Sequence, residues 1–165
     1  MRSRPVPGDS GPQVSQFAGA RLAPVLSLAL GLLLSPLALA LDFRSVAPPA
    51  AVLYDAPSLK ARKLFILNQG YPVEVVVTLD TWLKVRDASG ELAWVEAKNL
   101  STQRSVMVKV ARAEVRRAPD EGAPVVFLVE QDGLLEVIET ADNWAQVRHR
   151  DGATGYIRIT QVWGL

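Results

Sequence analysis

The sequence predicts an all-β fold built as two small barrels in tandem. Three observations carry that prediction: an internal repeat, apolar runs too short for helices, and turn residues at regular spacing. Moving residues 51–100 forward by 62 positions lays them on residues 113–162 without a gap. Identities include Ala56/Ala118, Pro57/Pro119, Phe65/Phe127, Glu74/Glu136, Trp82/Trp144, Val85/Val147, Arg86/Arg148 and Gly90/Gly152, with Trp94/Tyr156 and Val95/Ile157 as conservative pairs. A repeat of this length is one supersecondary unit used twice.

Each unit reads as a series of short strands. In the first, Val52–Tyr54 precedes Ala56-Pro57, which cannot continue a ladder. Leu64–Leu67 follows, then Asn68-Gln69-Gly70 as a turn, then Val73–Thr78. Asp80-Thr81 separates this from Trp82–Arg86, and Ala88-Ser89-Gly90 separates that from Leu92–Ala97. The second unit copies the pattern at Val115–Arg117, Val125–Val129, Leu134–Glu139, Trp144–His149 and Gly155–Ile159. Strands with turns every ~8–12 residues and no helical period indicate a barrel or sandwich. A unit of about sixty residues favours the barrel. The first copy opens on Pro48-Pro49 where the second has Val106–Val110, which predicts a shorter or distorted opening strand in the first barrel.

One hairpin can be placed in register. Leu83 and Val85 alternate with Trp82, Lys84 and Arg86, so the two sets take opposite faces. Keeping apolar residues together requires Val85 opposite Ala93 and Leu83 opposite Val95; a one-residue slip would oppose Lys84 to Val95. The loop is then Ala88-Ser89-Gly90, with Gly where a bulged three-residue turn needs a left-handed residue. The second copy predicts Arg150-Asp151-Gly152 for the same turn. On the outer face this register sets Trp82 opposite Glu96, Lys84 opposite Trp94, Trp144 opposite Arg158 and Gln146 opposite Tyr156. A bulge ahead of the Trp is the feature that would turn it inward.

The N-terminus is a separate object. Arg2, Arg4 and Arg21 supply positive charge, and Leu22–Ala40 carries none and ends in Ala38-Leu39-Ala40. Residues 1–40 read as a secretory signal peptide cut after Ala40. The rival reading is an uncleaved anchor, since the run approaches the ~20 residues that span a bilayer. Membrane contact is expected only through this segment. The two arginines are not adjacent and no Cys follows the apolar run, so neither a twin-arginine signal nor a lipid anchor is expected. Setting aside residues 1–40 removes three Arg and one Asp, which leaves 15 basic and 16 acidic residues and a formal charge of −1. Bulk charge therefore gives no case for nucleic-acid binding. The absence of Cys excludes disulfides and thiol chemistry.

Arg116-Arg117-Ala118-Pro119, Asp142-Asn143-Trp144-Ala145-Gln146-Val147-Arg148 and Asp151-Gly152-Ala153-Thr154-Gly155-Tyr156-Ile157 resemble the bacterial SH3-like (SH3b) domain. Its skeleton is a small-Pro turn, a polar residue before W-x-x-V-R, a D-G turn and G-aromatic-aliphatic. The first copy matches with Ala56-Pro57, Asp80 to Arg86, Ser89-Gly90 and Ala93-Trp94-Val95, departing at Ala93 where the pattern has Gly. The resemblance covers residues 45–165 and implies an exported binding module that touches peptidoglycan or peptide ligands. The domains are set at 43–102 and 103–165.

Candidate binding residues are the aromatics Trp82, Trp94, Trp144, Tyr156 and Tyr54, whose rings suit sugar faces and extended peptides. The competing reading has Trp82 and Trp144 capping each barrel or burying the contact between barrels. Arg116 and Arg117, with Arg112, form a candidate carboxylate patch, set against a mixed-charge surface with Glu114, Asp120 and Glu121. His149, the single histidine, has no nucleophile to serve and is expected at the surface. No metal and no cofactor is expected. Asp80 and Asp142 are expected to organise their turns through side-chain hydrogen bonds. Lys98–Ser105 is a short polar link, so the barrels should sit close with little relative freedom. Val162–Leu165 has no counterpart in the polar Ser101-Thr102; it should pack on its own barrel or the neighbouring one, or else face a partner. The expectation is a non-enzymatic protein of the periplasm or cell envelope that recognises a cell-wall glycopeptide or an envelope peptide segment. The alternative is a scaffolding subunit that binds one envelope protein.

Overall fold

The computed structural model describes residues 41–165; the expected leader lies outside the described residues. Among the described residues no helix is long and apolar enough to cross a membrane.

The first unit runs β1 (Asp42–Val46), β2 (Ala50–Tyr54), β3 (Lys63–Asn68), β4 (Pro72–Leu79), β5 (Trp82–Arg86), β6 (Leu92–Glu96), one 3₁₀ turn (Ala97–Asn99) and β7 (Leu100–Ser101). The second repeats this as β8 (Ser105–Val108), β9 (Arg112–Arg116), β10 (Val125–Glu130), β11 (Leu134–Ala141), β12 (Trp144–Arg148), β13 (Thr154–Arg158), a 3₁₀ turn (Ile159–Gln161) and β14 (Val162–Trp163). Each forms one antiparallel seven-stranded sheet, in the orders β3-β2-β6-β5-β4-β1-β7 and β10-β9-β13-β12-β11-β8-β14. Neither sheet closes its hydrogen bonding into a full ring, so β3 and β7 remain edges of the first and β10 and β14 of the second.

The hairpin register is the one that alternation demands. Leu83 faces Val95 and Val85 faces Ala93, while Trp82 faces Glu96 and Lys84 faces Trp94. Trp144 faces Arg158 and Gln146 faces Tyr156 in the second copy. Leu53, Leu83, Val85 and Val95 are core residues of the first barrel, and Val115, Leu135, Val147 and Ile157 of the second. The turn glycines Gly90 and Gly152 have φ of 91° and 94°, left-handed values in which a side chain would be strained.

In the first barrel this turn is fastened from inside. The Asp87 carboxylate accepts hydrogen bonds from the Ser89 and Glu91 backbone N–H groups, both at 2.9 Å, and from the Ser89 hydroxyl at 2.6 Å. Three donors on a half-charged, largely buried oxygen make it the organiser of the loop. Asp87→Ala is expected to lower stability by about 1–3 kcal/mol, read as a lowered urea midpoint. An unchanged midpoint would show that the loop holds without its carboxylate.

Several expectations need correction. The first barrel has a full opening strand: β1 pairs Ser45 with Pro72 as β8 pairs Met107 with Leu134, so the offset of 62 extends back into residues 43–46. Pro48-Pro49 sits in the bend between β1 and β2, where a missing N–H costs nothing. Val162-Trp163 does have a counterpart, Leu100-Ser101; both two-residue strands close onto the first strand of their own barrel. Asp80 and Asp142 act through backbone, not side chain. Both are left-handed, at φ of 50° and 51°, which Asp tolerates better than most residues.

The barrels are docked. The Phe43 and Trp163 rings meet edge-to-face at 5.1 Å, one from each barrel. The Ser105 hydroxyl donates to Gly70 O, and the Ser45 hydroxyl donates to Gln103 O in the link. Gln103 in turn donates from Nε2 to Val137 O at 3.1 Å. Only Thr102–Arg104 lies between strands β7 and β8. So short a link, hydrogen-bonded to both sides, cannot act as a swinging tether.

Candidate functional site

The outer face of β2, β5 and β6 gathers three aromatics of the first barrel. Tyr54 pairs with Trp94 across β2 and β6, and Trp94 with Lys84 across β6 and β5. Tyr54 and Trp82 meet edge-to-face at 5.5 Å between ring centroids, a favoured quadrupole arrangement. Lys84 Nζ lies 6.0 Å from the Trp94 ring, at the outer limit of a cation–π contact. Tyr54 is buried beneath this group at 7% exposure, while Trp82 and Trp94 stay half-exposed. Tyr54 is thus the floor of the group, and the two Trp rings form its surface.

The second barrel fills the same positions differently. Arg116 takes the place of Tyr54 and pairs with Tyr156. Arg158 takes the place of Glu96 and lies 4.7 Å from the Trp144 ring centroid. Arg158 also forms an ion pair with Glu121, which ties the guanidinium over the ring. Trp144 is buried at 9%. Trp144 is therefore covered by its own domain's charged side chain, while Tyr156, like Trp82 and Trp94, stays half-exposed.

Both strands β4 and β11 do carry a bulge, at Val76 and at Ile138, between the first and second halves of their pairing with the Trp strand. It leaves the Trp on the outer face. What separates Trp82 from Trp144 is the residue opposite, glutamate in one case and arginine in the other.

The basic patch resolves into local pairs. Arg112 meets Glu130 at 3.0 Å, and Arg116 pairs with Glu114 and donates to Ala123 O at 2.7 Å. Arg117 is exposed, and its backbone N–H donates to Pro124 O. The mixed-charge surface describes this region better than a carboxylate patch does. His149 is half-buried, not a free surface residue: its Nδ1 lies 2.9 Å from Asp151 Oδ1 and its ring 5.8 Å from that of Phe127. The Ala153 backbone N–H, and then His149, hold the Asp151 carboxyl below its ordinary pKa. Burial, and then Asp87, push the Tyr71 hydroxyl up.

Sequence reasoning missed one feature, a cleft of about 930 Å³ where the barrels meet. Its lining includes Ser45, Asn68 and Gln69 on one side and Arg104, Arg148 and Arg150 on the other. None of the predicted aromatic site residues lines it. Among the described residues no cluster of His, Asp or Glu is arranged to hold a metal ion.

Comparison with curated proteins gives no match. Among solved structures the chain is similar to NlpC2 and NlpC1 from Trichomonas vaginalis, at 17% and 16% identity, each with a TM-score of 0.35. These alignments cover 75% and 74% of this chain and 48% and 45% of those chains. It is also similar to an NlpC/P60 family protein from Bacillus cereus, at 16% identity and a TM-score of 0.34, over 73% of this chain and 55% of that one. The chain thus spans about half the length of these proteins. The bacterial SH3 domain family matches residues 47–102 and again residues 109–164, which correspond to the two curled sheets. With both of its repeats matched, the chain belongs to the bacterial SH3 domain family and carries two tandem copies of the domain.

Proposed function

We propose that the chain is an exported, non-enzymatic binding protein of the periplasm or cell envelope, whose first domain recognises a cell-wall glycopeptide or an envelope peptide segment. The observation that carries this reading is the open aromatic group, with Trp82 and Trp94 presented over a buried Tyr54. Flat rings on a polar face offer stacking area to a sugar or a peptide at small entropic cost. The second domain, its Trp144 under Arg158, serves as the fixed companion of the first. Export rests on the apolar Leu22–Ala40 segment and its small-residue ending. The non-enzymatic reading rests on the residue inventory, with no Cys and one His already engaged by Asp151.

Sedimentation with purified cell-wall sacculi tests the reading. Retention is expected, and Trp94→Ala should weaken it about tenfold or more, the effect of losing a central aromatic contact. Trp144→Ala should change retention little. Equal loss in both variants would sink the assignment to the first domain.

The scaffolding alternative has its own support in the apolar residues exposed on the edge strands, Ile66 at 61% on β3 and Leu128 at 52% on β10. It would be preferred if sacculi fail to retain the protein and crosslinking in cells recovers one protein partner.

A further inference from the structure

We propose that the cleft between the two domains is a second binding site, which takes an acidic, extended peptide through its carboxylates. Its volume of about 930 Å³ lies in the upper part of the range of ligand pockets. Three arginines line it, Arg104 from the link and Arg148 and Arg150 from the β12–β13 hairpin, against a single carboxylate, Glu136. The local charge is thus strongly positive, although the chain beyond residue 40 carries a formal charge of −1.

The arginines are free to engage a ligand. Arg148 lies 3.5 Å from Glu136, a loose and exposed pair of little energetic weight, so exchange for a ligand carboxylate costs little. Arg104 and Arg150 make no ion pair among the described residues, unlike Arg112, Arg116 and Arg158. The same ion pair recurs in the first domain as Glu74–Arg86, at 2.8 Å, and neither of its residues lines this cleft. A planar guanidinium suits a carboxylate through two parallel hydrogen bonds.

The opposite wall specifies a peptide. It is neutral, and the Asn68 side chain on it offers both a donor and an acceptor to a peptide backbone. The one ring among the lining residues is that of His149, already packed against Phe127 and paired with Asp151, so the cleft offers no Trp or Tyr surface to a sugar or a nucleobase. The walls are also fixed before any ligand arrives. The Phe43–Trp163 contact, the Ser105 to Gly70 and Ser45 to Gln103 hydrogen bonds and the Gln103 bond to Val137 O hold the domains in one arrangement. Pre-formed walls spare a ligand the cost of ordering them.

The test is calorimetric titration of the protein with a short peptide of alternating glutamate and alanine, beside the same peptide with glutamine for glutamate. Binding of the glutamate peptide alone, weakening as salt rises, is expected. Arg104→Gln and Arg150→Gln should each weaken it about tenfold, and Glu136→Gln should tighten it. Trp94→Ala should leave it unchanged, which separates this site from the aromatic one whether or not that one binds sacculi. Equal binding of the glutamine peptide, indifference to both arginine variants, or displacement of the peptide by an equal concentration of inorganic phosphate would overturn the proposal.

Discussion

Gly155→Ala is expected to destabilise the second domain by about 2–4 kcal/mol, the upper range for forcing a group into packed space. A Cβ at Gly155 would lie 2.6 Å from Arg116 O and 2.7 Å from Val115 Cγ1. The first contact is with backbone of the neighbouring strand β9, which cannot rotate away as a side chain can. The first domain has Ala93 at this register position, opposite Val85 as Gly155 is opposite Val147, and buries its methyl at 1% exposure. The two domains thus differ in how closely β2 and β9 approach β6 and β13. The reciprocal change Ala93→Gly should cost only about 1 kcal/mol, from chain entropy and a lost methyl. Urea unfolding followed by tryptophan fluorescence compares the two. Similar midpoint shifts for both variants would mean that the close approach at Gly155 relaxes freely.

Phe43→Ala is expected to cost about 3 kcal/mol and, more tellingly, to uncouple the domains. Phe43 is 7% exposed yet belongs to neither barrel core; its ring packs edge-on against Trp163 of the other domain. An aromatic pair of this kind adds about 0.5–1.5 kcal/mol to the area it buries. Calorimetry of the protein should give one unfolding transition, and that of the variant two. Two transitions before the substitution, or one after it, would show that the domains are coupled by something other than this contact. Loss of the coupling should also weaken acidic-peptide binding, because the cleft exists only while its walls are held together.

How much could be read in advance follows from where each residue's environment is decided. The hairpin register was legible because strand side chains alternate and one face of β5 and β6 is buried, so only one pairing keeps Leu83, Val85 and Val95 together. The left-handed turn glycines were legible for the same local reason. Strand β1 was not, since Asp42-Phe43-Arg44-Ser45-Val46 mixes polar and apolar residues. Ser45 is buried only because its hydroxyl finds Gln103 O in the link. Tyr54 gave no sign of becoming a floor, because the Trp82 ring that covers it comes from a distant strand.

The hairpin register and the pairing of aromatic positions on one outer face were legible from alternation and turn chemistry within about fifteen residues, and the duplication from the 62-residue offset between the copies. The cleft between the domains, and the Glu121 ion pair that holds Arg158 over Trp144, come only from the way distant segments pack. Trp82 and Trp144 stand at equivalent positions in the chain, yet only Trp144 has an arginine over its ring, held there by Glu121 from another loop. Arg86 and Arg148 are likewise equivalent, and only Arg148 lines the cleft between the domains. Docking one domain against the other, through contacts such as Phe43 with Trp163, breaks the symmetry that the repeat sets up.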